Sequence, residues 1–214
     1  MNYESELGCL LGRYFPEIGE IQKERIVLYY REVLKWNRGI NLVSRRDPEK
    51  TVERLIVDSL FLLRILEENW RILDIGSGAG FPSIPVLLCL NVEIVMAESR
   101  KKKVAFLNHV VQLLNLKNAR VIGETVSDTS IQKLGRFDAF WAKAALPLEV
   151  LFSMGASCLF PGGKLVLFRP FEGRKEKKLL ENMAESHGFS PPVSGVYSCP
   201  ELYLTRTLTI CQKN

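Results

Sequence analysis

The sequence lacks the features that mark secreted, membrane-bound and metal-stapled proteins. It has only five cysteines, an odd number with no C-x-x-C spacing, so neither a disulfide framework nor a zinc site is indicated. No run of about 18 apolar residues is unbroken, and no basic segment leads into a long apolar one at the start. We therefore expect a cytoplasmic protein with no membrane contact and no bound metal ion.

An excess of charged or of apolar residues is also missing. Apolar residues make up 47% and charged residues 25% of the 214 residues, which is typical of a globular domain with a terminal extension. The net charge of +5 is modest. The positive residues are nevertheless clustered, and on charge alone a phosphate-bearing partner and a solvated basic surface are equally good interpretations. The clusters are Arg45 with Arg46, Arg100 with Lys101, Lys102 and Lys103, and Arg169 with Arg174, Lys175, Lys177 and Lys178.

Residues 1–69 are predicted to form a helical cap, because apolar residues recur there at helical spacing, as in Ile26, Tyr30 and Val33. Asp47 followed by Pro48 predicts the start of one helix. The aspartate can accept hydrogen bonds from free backbone N–H groups, and the proline has no N–H to leave unpaired.

Residues 70–214 alternate short β runs with helical stretches, which predicts a parallel sheet with helices on both faces. The last two runs, 193–199 and 202–211, are too close for a crossover and predict an antiparallel hairpin. A mostly parallel α/β sheet of seven strands with an antiparallel last strand resembles the Rossmann-like core of class I S-adenosylmethionine-dependent methyltransferases. The other predicted strands are 72–75, 92–97, 119–123, 137–142 and 164–169.

A glycine-rich turn follows the first predicted strand, at the sheet edge where ligands bind in open α/β folds. Its spacing, Gly76-x-Gly78-x-Gly80, differs from the dinucleotide fingerprint, whose third glycine would fall at Phe81. Glu98 ends the next strand, where a carboxylate can accept hydrogen bonds from both hydroxyls of a ribose. Turn and carboxylate predict an adenosine-containing ligand. The alternative is a tight structural turn with Glu98 at a helix start.

Five short motifs occur along the chain in a specific order. They are Trp36-Asn37-x-x-x-Asn41-Leu42, Asp58-Ser59, Asp74-Ile75-Gly76-Ser77-Gly78-Ala79-Gly80-Phe81-Pro82-x-Ile84-Pro85, Glu98-Ser99-x-x-Lys102-Lys103-x-x-Phe106-Leu107 and Phe137-Asp138. Together they resemble the small-subunit ribosomal RNA guanine-N7 methyltransferase family, also called glucose-inhibited division protein B. The resemblance runs from about residue 30 to the end of the chain, and its most specific part is the third motif.

The resemblance implies an enzyme that binds S-adenosylmethionine and methylates a guanine N7 in the decoding region of 16S rRNA. Its substrate is either the RNA itself or the assembled 30S particle. Guanine N7 carries a lone pair and no proton, so positioning replaces a general base and no catalytic residue is expected. Lys143 is the one candidate for such a role, and it is otherwise either a binding residue or a plain lysine at a strand end. We expect a monomer. The expected cofactor-binding residues are Asp74, Gly76, Ser77, Gly78, Gly80, Phe81, Glu98, Ser99, Thr125, Val126 and Lys143. The expected RNA-binding residues are Arg45, Arg46, Arg100, Lys101, Lys102, Lys103 and Arg169.

Some of these residues also have structural interpretations. Asp74 either contacts the methionine end of the ligand or braces the loop. Trp36 and Asn37 are expected to pack and cap rather than to contact substrate. For the three lysines at 101–103, solvation and phosphate contact are equally good interpretations.

The chain departs from the family pattern at five places. Lys143 keeps the positive charge of the family's arginine but lacks its two-pronged donor geometry. The departures motivate two alternatives: a ribosome-binding or RNA-binding protein that has lost catalysis, and a methyltransferase with another acceptor. At these places the chain has Leu55 where the family has His, Ser83 where it has Gly, Lys143 where it has Arg, Thr125-Val126-Ser127 where it has Arg-Ala-Glu, and Arg169-Pro170 where it has Lys-Gly.

Overall fold

A sheet of seven strands lies at the centre of the computed structural model, which describes residues 3–143, 146–169, 171 and 173–214. The strands are β1 (Arg71–Ile75), β2 (Glu93–Ala97), β3 (Ala119–Ile122), β4 (Phe137–Trp141), β5 (Leu159–Leu167), β6 (Val193–Cys199) and β7 (Leu204–Gln212). Their order in the sheet is β3-β2-β1-β4-β5-β7-β6. Pairs from β3 to β5 are parallel, whereas β7 is antiparallel to both of its neighbours. The predicted mostly parallel sheet with an antiparallel last strand is confirmed.

Helices cover both faces of this sheet, as predicted. Successive strand residues point to opposite faces, so Ile72 and Leu73 belong to two different apolar clusters. Side chains of the first five helices pack in the cluster of Ile72, and those of the last three pack in the cluster of Leu73. The helices are α1 (Tyr3–Tyr14), α2 (Glu20–Asn37), α3 (Pro48–Leu60), α4 (Ser83–Cys89), α5 (Lys101–Leu113), α6 (Asp128–Ile131), α7 (Leu148–Cys158) and α8 (Gly173–Ser186).

Element boundaries agree with the sequence in one case and differ in another. Asp47 caps α3, because its side chain accepts a hydrogen bond from the Lys50 N–H at 3.3 Å, and Pro48 is the first helical residue. β5 was expected at 164–169 but begins directly after α7, at Leu159. A register shift opposite Phe137 and Ala139 accommodates the Pro-Gly-Gly segment, which the sequence pattern marks as a break. Within the described residues, no helix combines the length and the apolarity needed to cross a membrane.

Candidate active site

The residues expected to bind a cofactor lie at the carboxyl ends of neighbouring parallel strands. The glycine turn follows β1, Glu98 follows β2, and Lys143 lies just beyond β4. In the register of the sheet, Ile75 pairs with Ala97 and Asp74 with Trp141. The topology therefore brings these groups to one edge of the sheet, where open α/β folds bind ligands.

The glycines of the turn serve different purposes. Gly76, Gly78 and Gly80 all have positive φ, at 74°, 61° and 91°, a conformation that glycine adopts without steric strain. A Cβ on Gly80 would lie 2.5 Å from a side-chain carbon of Ile84, so Gly80 permits close packing of the turn on α4. A Cβ on Gly78 would meet nothing closer than the Lys103 Nζ at 3.7 Å. The backbone at Gly78 is therefore open to a ligand.

Glu98 is bound to the turn that it faces. One carboxylate oxygen accepts a hydrogen bond from the Gly78 N–H at 3.0 Å, and the other accepts one from the Arg100 N–H at 2.9 Å. Arg100 directly precedes the first residue of α5, so Glu98 also accepts a hydrogen bond at the start of that helix, as the structural alternative proposed. An ionised carboxylate has about four acceptor positions. Glu98 can brace the turn and still accept further hydrogen bonds.

Asp74 is fully buried below the turn, and half of its carboxyl group has no partner. The Ser83 hydroxyl donates to Asp74 Oδ2 at 2.5 Å, whereas Oδ1 makes no hydrogen bond within the described residues. The buried Nε1 of Trp141, the β4 residue paired with Asp74, likewise makes no hydrogen bond of good geometry, but its N–H lies close enough to the Asp74 carboxyl to lower the pKa of that group. Burial raises the pKa of Asp74 to about 7, against the opposing effects of Ser83, Ser77 and Trp141. Buried polar groups without a hydrogen-bond partner are uncommon, and a bound ligand or an ordered water usually explains them.

Tyr29 of α2 holds the turn from the side of the N-terminal helices, although no sequence motif marks it. Its hydroxyl donates to the Ala79 carbonyl at 2.6 Å, and its ring lies 5.2 Å from the ring of Phe81. Both side chains are buried. Phe81 therefore packs against α2. The signal that could have found Tyr29 is its helical spacing from Ile26 and Val33, which both face the same core.

Lys143 is bonded to a buried carboxylate of the cap. Its ammonium donates to Asp58 Oδ2, and the Tyr197 hydroxyl donates to Asp58 Oδ1. Arg206 Nε lies 3.9 Å from the same carboxylate, and the Lys143 Nζ lies 5.3 Å from the ring centre of Phe168. Burial, followed by the Asp58 charge, raises the pKa of Tyr197 well above its ordinary range. The Asp58 carboxylate ties α3 to β4 and β6, a relationship that sequence reasoning missed.

The remaining expected cofactor residues lie at the same edge with different exposure. Ser99 and Thr125 are exposed, whereas the Val126 side chain is buried in the core. Among the departures, Leu55 packs partly buried against the apolar cluster of Ile72, and Ser83 bonds to Asp74. Pro170 lies outside the described residues.

Most of the expected RNA-binding residues line one basic crevice. The crevice, of about 370 Å³, is bounded by Gly39, Ile40, Asn41, Arg45, Arg100, Lys101, Lys102 and Lys103. Arg46 is exposed but does not line it, and Arg169 lies apart, with its guanidinium 4.4 Å from the ring centre of Phe171. Within the described residues, no group of three or more His, Cys, Asp or Glu side chains could hold a metal ion.

The Trp36-Asn37 motif has the structural role that the sequence favoured. Asn37 Oδ1 accepts hydrogen bonds from the N–H groups of Leu42 and Val43, at 2.9 and 3.0 Å. The ring of Trp36 packs against those of Phe106 and His109, at 5.5 and 5.0 Å. Both residues shape the loop that forms one wall of the basic crevice.

Comparison with known sequences gives matches along nearly the whole chain. The GidB family model, described as rRNA small subunit methyltransferase G, matches residues 22–196. A ribosomal RNA small subunit methyltransferase G of Syntrophotalea carbinolica is 31% identical over 218 residues and covers 98% of both chains. That of Carboxydothermus hydrogenoformans is 31% identical over 211 residues, covering 95% of this chain and 90% of its own. That of Neisseria gonorrhoeae is 36% identical over 167 residues, covering 76% and 78%.

Solved structures show the same fold at low sequence identity. A methyltransferase from Pyrococcus furiosus has a TM-score of 0.60 at 18% identity and covers 90% of this chain and 98% of its own. Precorrin-6y C5,15-methyltransferase from Geobacter metallireducens has a TM-score of 0.55 at 17% identity, with coverages of 82% and 92%. These similarities establish the class I methyltransferase fold.

Proposed function

The chain belongs to the GidB family, rRNA small subunit methyltransferase G, and we propose that it methylates N7 of a guanine in 16S rRNA, with S-adenosylmethionine as the methyl donor. Family membership supports methylation of small-subunit rRNA. The donor site is supported by one observation in particular: the backbone at Gly78 is open, and the Glu98 carboxylate that accepts the Gly78 N–H lies next to it.

The groups around the turn fit the donor chemically. The free acceptor positions of Glu98 suit the two ribose hydroxyls, and the open Gly78 backbone leaves room for the adenosyl group. The Asp74 carboxyl, whose Oδ1 makes no hydrogen bond of good geometry within the described residues, suits the ammonium of the methionine end. We assign Ser77, Ser99, Thr125, Val126 and the other expected residues of this edge to the same site.

The reaction requires that the methyl donor and the acceptor nitrogen be positioned, and it does not require acid or base catalysis. When bound, S-adenosylmethionine supplies an electrophilic methyl carbon, which the N7 lone pair attacks while the carbon–sulfur electron pair leaves with sulfur. Because N7 has no proton to lose, no residue has to act as a base. The chain has to hold donor and acceptor in line in a desolvated site. Lys143, whose ammonium is already bonded to Asp58, contributes to the shape and charge of this edge.

The basic crevice is the proposed RNA-binding surface. Its four consecutive cations at 100–103, together with Arg45, lie at the carboxyl edge next to Glu98. Lys103 comes within 3.7 Å of the Gly78 Cβ position, so crevice and donor site adjoin. Phosphates bound there would place an RNA strand across the mouth of the glycine turn.

Purified protein tests the proposal directly. Small ribosomal subunits that lack the modification are incubated with the protein and methyl-labelled S-adenosylmethionine, and the rRNA is digested to nucleosides. We expect the label in N7-methylguanosine. Label in another nucleoside would overturn the N7 assignment, and no transfer to rRNA would overturn the proposed function. Calorimetric titration with S-adenosylhomocysteine tests the donor site separately.

A further inference from the structure

Tyr29 contacts the glycine turn from a helix that contributes none of the residues assigned to the donor site. It lies in the middle of α2 and is fully buried, and its hydroxyl donates a hydrogen bond to the Ala79 carbonyl at 2.6 Å. The described residues give this carbonyl no other hydrogen bond. Because Ala79 lies between Gly78 and Gly80, Tyr29 binds the backbone of the turn itself.

The hydrogen bond fixes the orientation of one peptide unit, which joins Ala79 to Gly80. A peptide unit is planar, so its C=O and N–H groups turn together. The Ala79 carbonyl is bonded to Tyr29, and the Gly80 N–H donates to the Ser77 carbonyl at 2.7 Å. Both polar groups of this peptide unit are therefore bonded. Gly80 has a φ of 91°, and the turn keeps this shape while the backbone at Gly78 stays open.

The helix α2 is itself fixed to α5 on both sides of Tyr29. Arg25 donates to the Leu114 carbonyl at 2.5 Å, and Glu32 is bonded to His109 at 2.7 Å. These two residues lie about one helical turn before and after Tyr29. The hydroxyl is therefore held in place before any ligand binds, and a donor that is already in place costs no reorganisation on binding.

The hydroxyl also keeps its proton. Burial, followed by the charge of Asp74, raises the pKa of Tyr29 well above its ordinary value. Tyr29 is therefore a hydrogen-bond donor throughout the neutral pH range, and the Ala79 carbonyl keeps its partner.

From these contacts we propose that Tyr29 is a positioning residue for the methyl donor, acting through the Ala79 carbonyl. The inference rests on the proposed function, because it concerns the donor site of that reaction. Without the hydroxyl, a buried carbonyl lacks its partner, and the peptide between Ala79 and Gly80 can turn toward another one. Donor binding must then restore the original orientation, so only a fraction of the protein is competent to bind and the affinity falls.

Removal of the hydroxyl alone is the first test. Tyr29→Phe fills the same space and keeps the ring against Phe81, so the variant should fold. We expect its calorimetric affinity for S-adenosylhomocysteine to fall roughly tenfold, and KM for S-adenosylmethionine to rise by the same factor with kcat little changed. The matched control is Tyr30→Phe, which removes a hydroxyl from the neighbouring tyrosine of α2, 2% exposed, and should leave the affinity unchanged.

A structural role without a positioning role predicts a different result. Tyr29→Phe would then unfold at a lower temperature and bind S-adenosylhomocysteine as tightly as the natural protein, which would overturn the proposal. Hydrogen exchange of the Gly80 N–H supplies a readout without turnover. In Tyr29→Phe this amide should exchange roughly tenfold faster, and excess S-adenosylhomocysteine should slow it again. Exchange at the natural rate would likewise overturn the positioning role.

Failure of this inference and failure of the proposed function give different results. If the natural protein does not bind S-adenosylhomocysteine, both are overturned. Equal binding by the natural protein and Tyr29→Phe overturns the role of Tyr29 alone. Weaker binding by Tyr29→Phe, with no methyl transfer to rRNA by the natural protein, would support the role of Tyr29 and overturn the proposed reaction.

Discussion

The ammonium of Lys143, just beyond β4, is bonded to the carboxylate of Asp58 in α3, 85 residues away in the chain. Asp58 is buried and also accepts the Tyr197 hydroxyl. One carboxylate thus fixes the cap helix, the edge of the parallel sheet and the terminal hairpin relative to each other. A charge that is buried and bonded in this way is costly to leave without its partner.

Removal of that carboxylate should destabilise the fold. Asp58→Ala leaves Lys143 and Tyr197 without their acceptor, and we expect a loss of about 3 kcal/mol, or a Tm lower by roughly 5–10 °C. Urea and thermal unfolding measure it. The matched control is Glu67→Ala, which breaks the exposed pair of Glu67 with Lys164 at 3.9 Å and should cost less than about 0.5 kcal/mol. Equal effects of the two variants would contradict the role given to Asp58.

Gly78 and Gly80 should respond differently to substitution. Gly78→Arg fills the open side of the turn, so S-adenosylhomocysteine binding should be lost while the protein still unfolds cooperatively. Gly80→Ala places a carbon 2.5 Å from Ile84 and should destabilise the fold by roughly 1–3 kcal/mol. Gly195→Arg, at a position with no atom within 4 Å, is the control. Undiminished calorimetric affinity in Gly78→Arg would refute the donor site.

Stability should depend on pH through Glu53. Burial, followed by the charge of Glu6, raises the pKa of Glu53 to about 7. The folded protein therefore keeps a proton that the unfolded chain releases above about 4.5, and stability falls as the pH rises from there to 7. In Glu53→Gln this fall should be smaller by roughly 2 kcal/mol, as measured by urea unfolding at pH 5 and 7.5.

Burial also raises the pKa of Asp74 to about 7. The contribution of Asp74 to the fall in stability with rising pH therefore remains in both the natural protein and Glu53→Gln. Exposed Glu68 supplies the control variant, Glu68→Gln, which should leave the pH dependence as it is. An unchanged pH dependence in Glu53→Gln would show that Glu53 titrates normally in the folded protein.

The basic crevice should govern RNA affinity and its dependence on salt. Lys102→Glu removes one phosphate-binding cation, so binding should weaken for any RNA sequence, and the slope of log affinity against log salt should fall by about 1. Lys117→Glu makes the same charge change at the amino end of β3, away from the crevice. Filter binding at several salt concentrations compares them. An equal loss of RNA affinity in both variants would mean that binding depends on the overall charge of the protein and not on this crevice.

Much of the fold was predictable because its signals are local. Alternating strand and helix periods located β1 to β4, the two-residue spacing located the terminal hairpin, and the glycine spacing located the turn after β1. β5 was misplaced at its start, since its Pro-Gly-Gly segment resembles a break and is accommodated only by pairing with β4.

The site was predictable only in part, because its remaining contacts join distant segments. Tyr197 and Asp58 are 139 residues apart, and Tyr29 is 50 residues from the carbonyl that it binds. No local pattern encodes such pairs, which depend on how α2 and α3 pack against the sheet and the terminal hairpin. The unpaired Asp74 Oδ1 likewise becomes visible only when burial and neighbours are known together.

Transfer of a methyl group by this chain to N7 of a guanine in 16S rRNA can be tested by mass mapping of that rRNA from a deletion strain. Loss of one N7-methylguanine, restored by the natural gene and not by Gly78→Arg, is the result that we predict. An rRNA methylation pattern that is identical with and without the gene would contradict the claim.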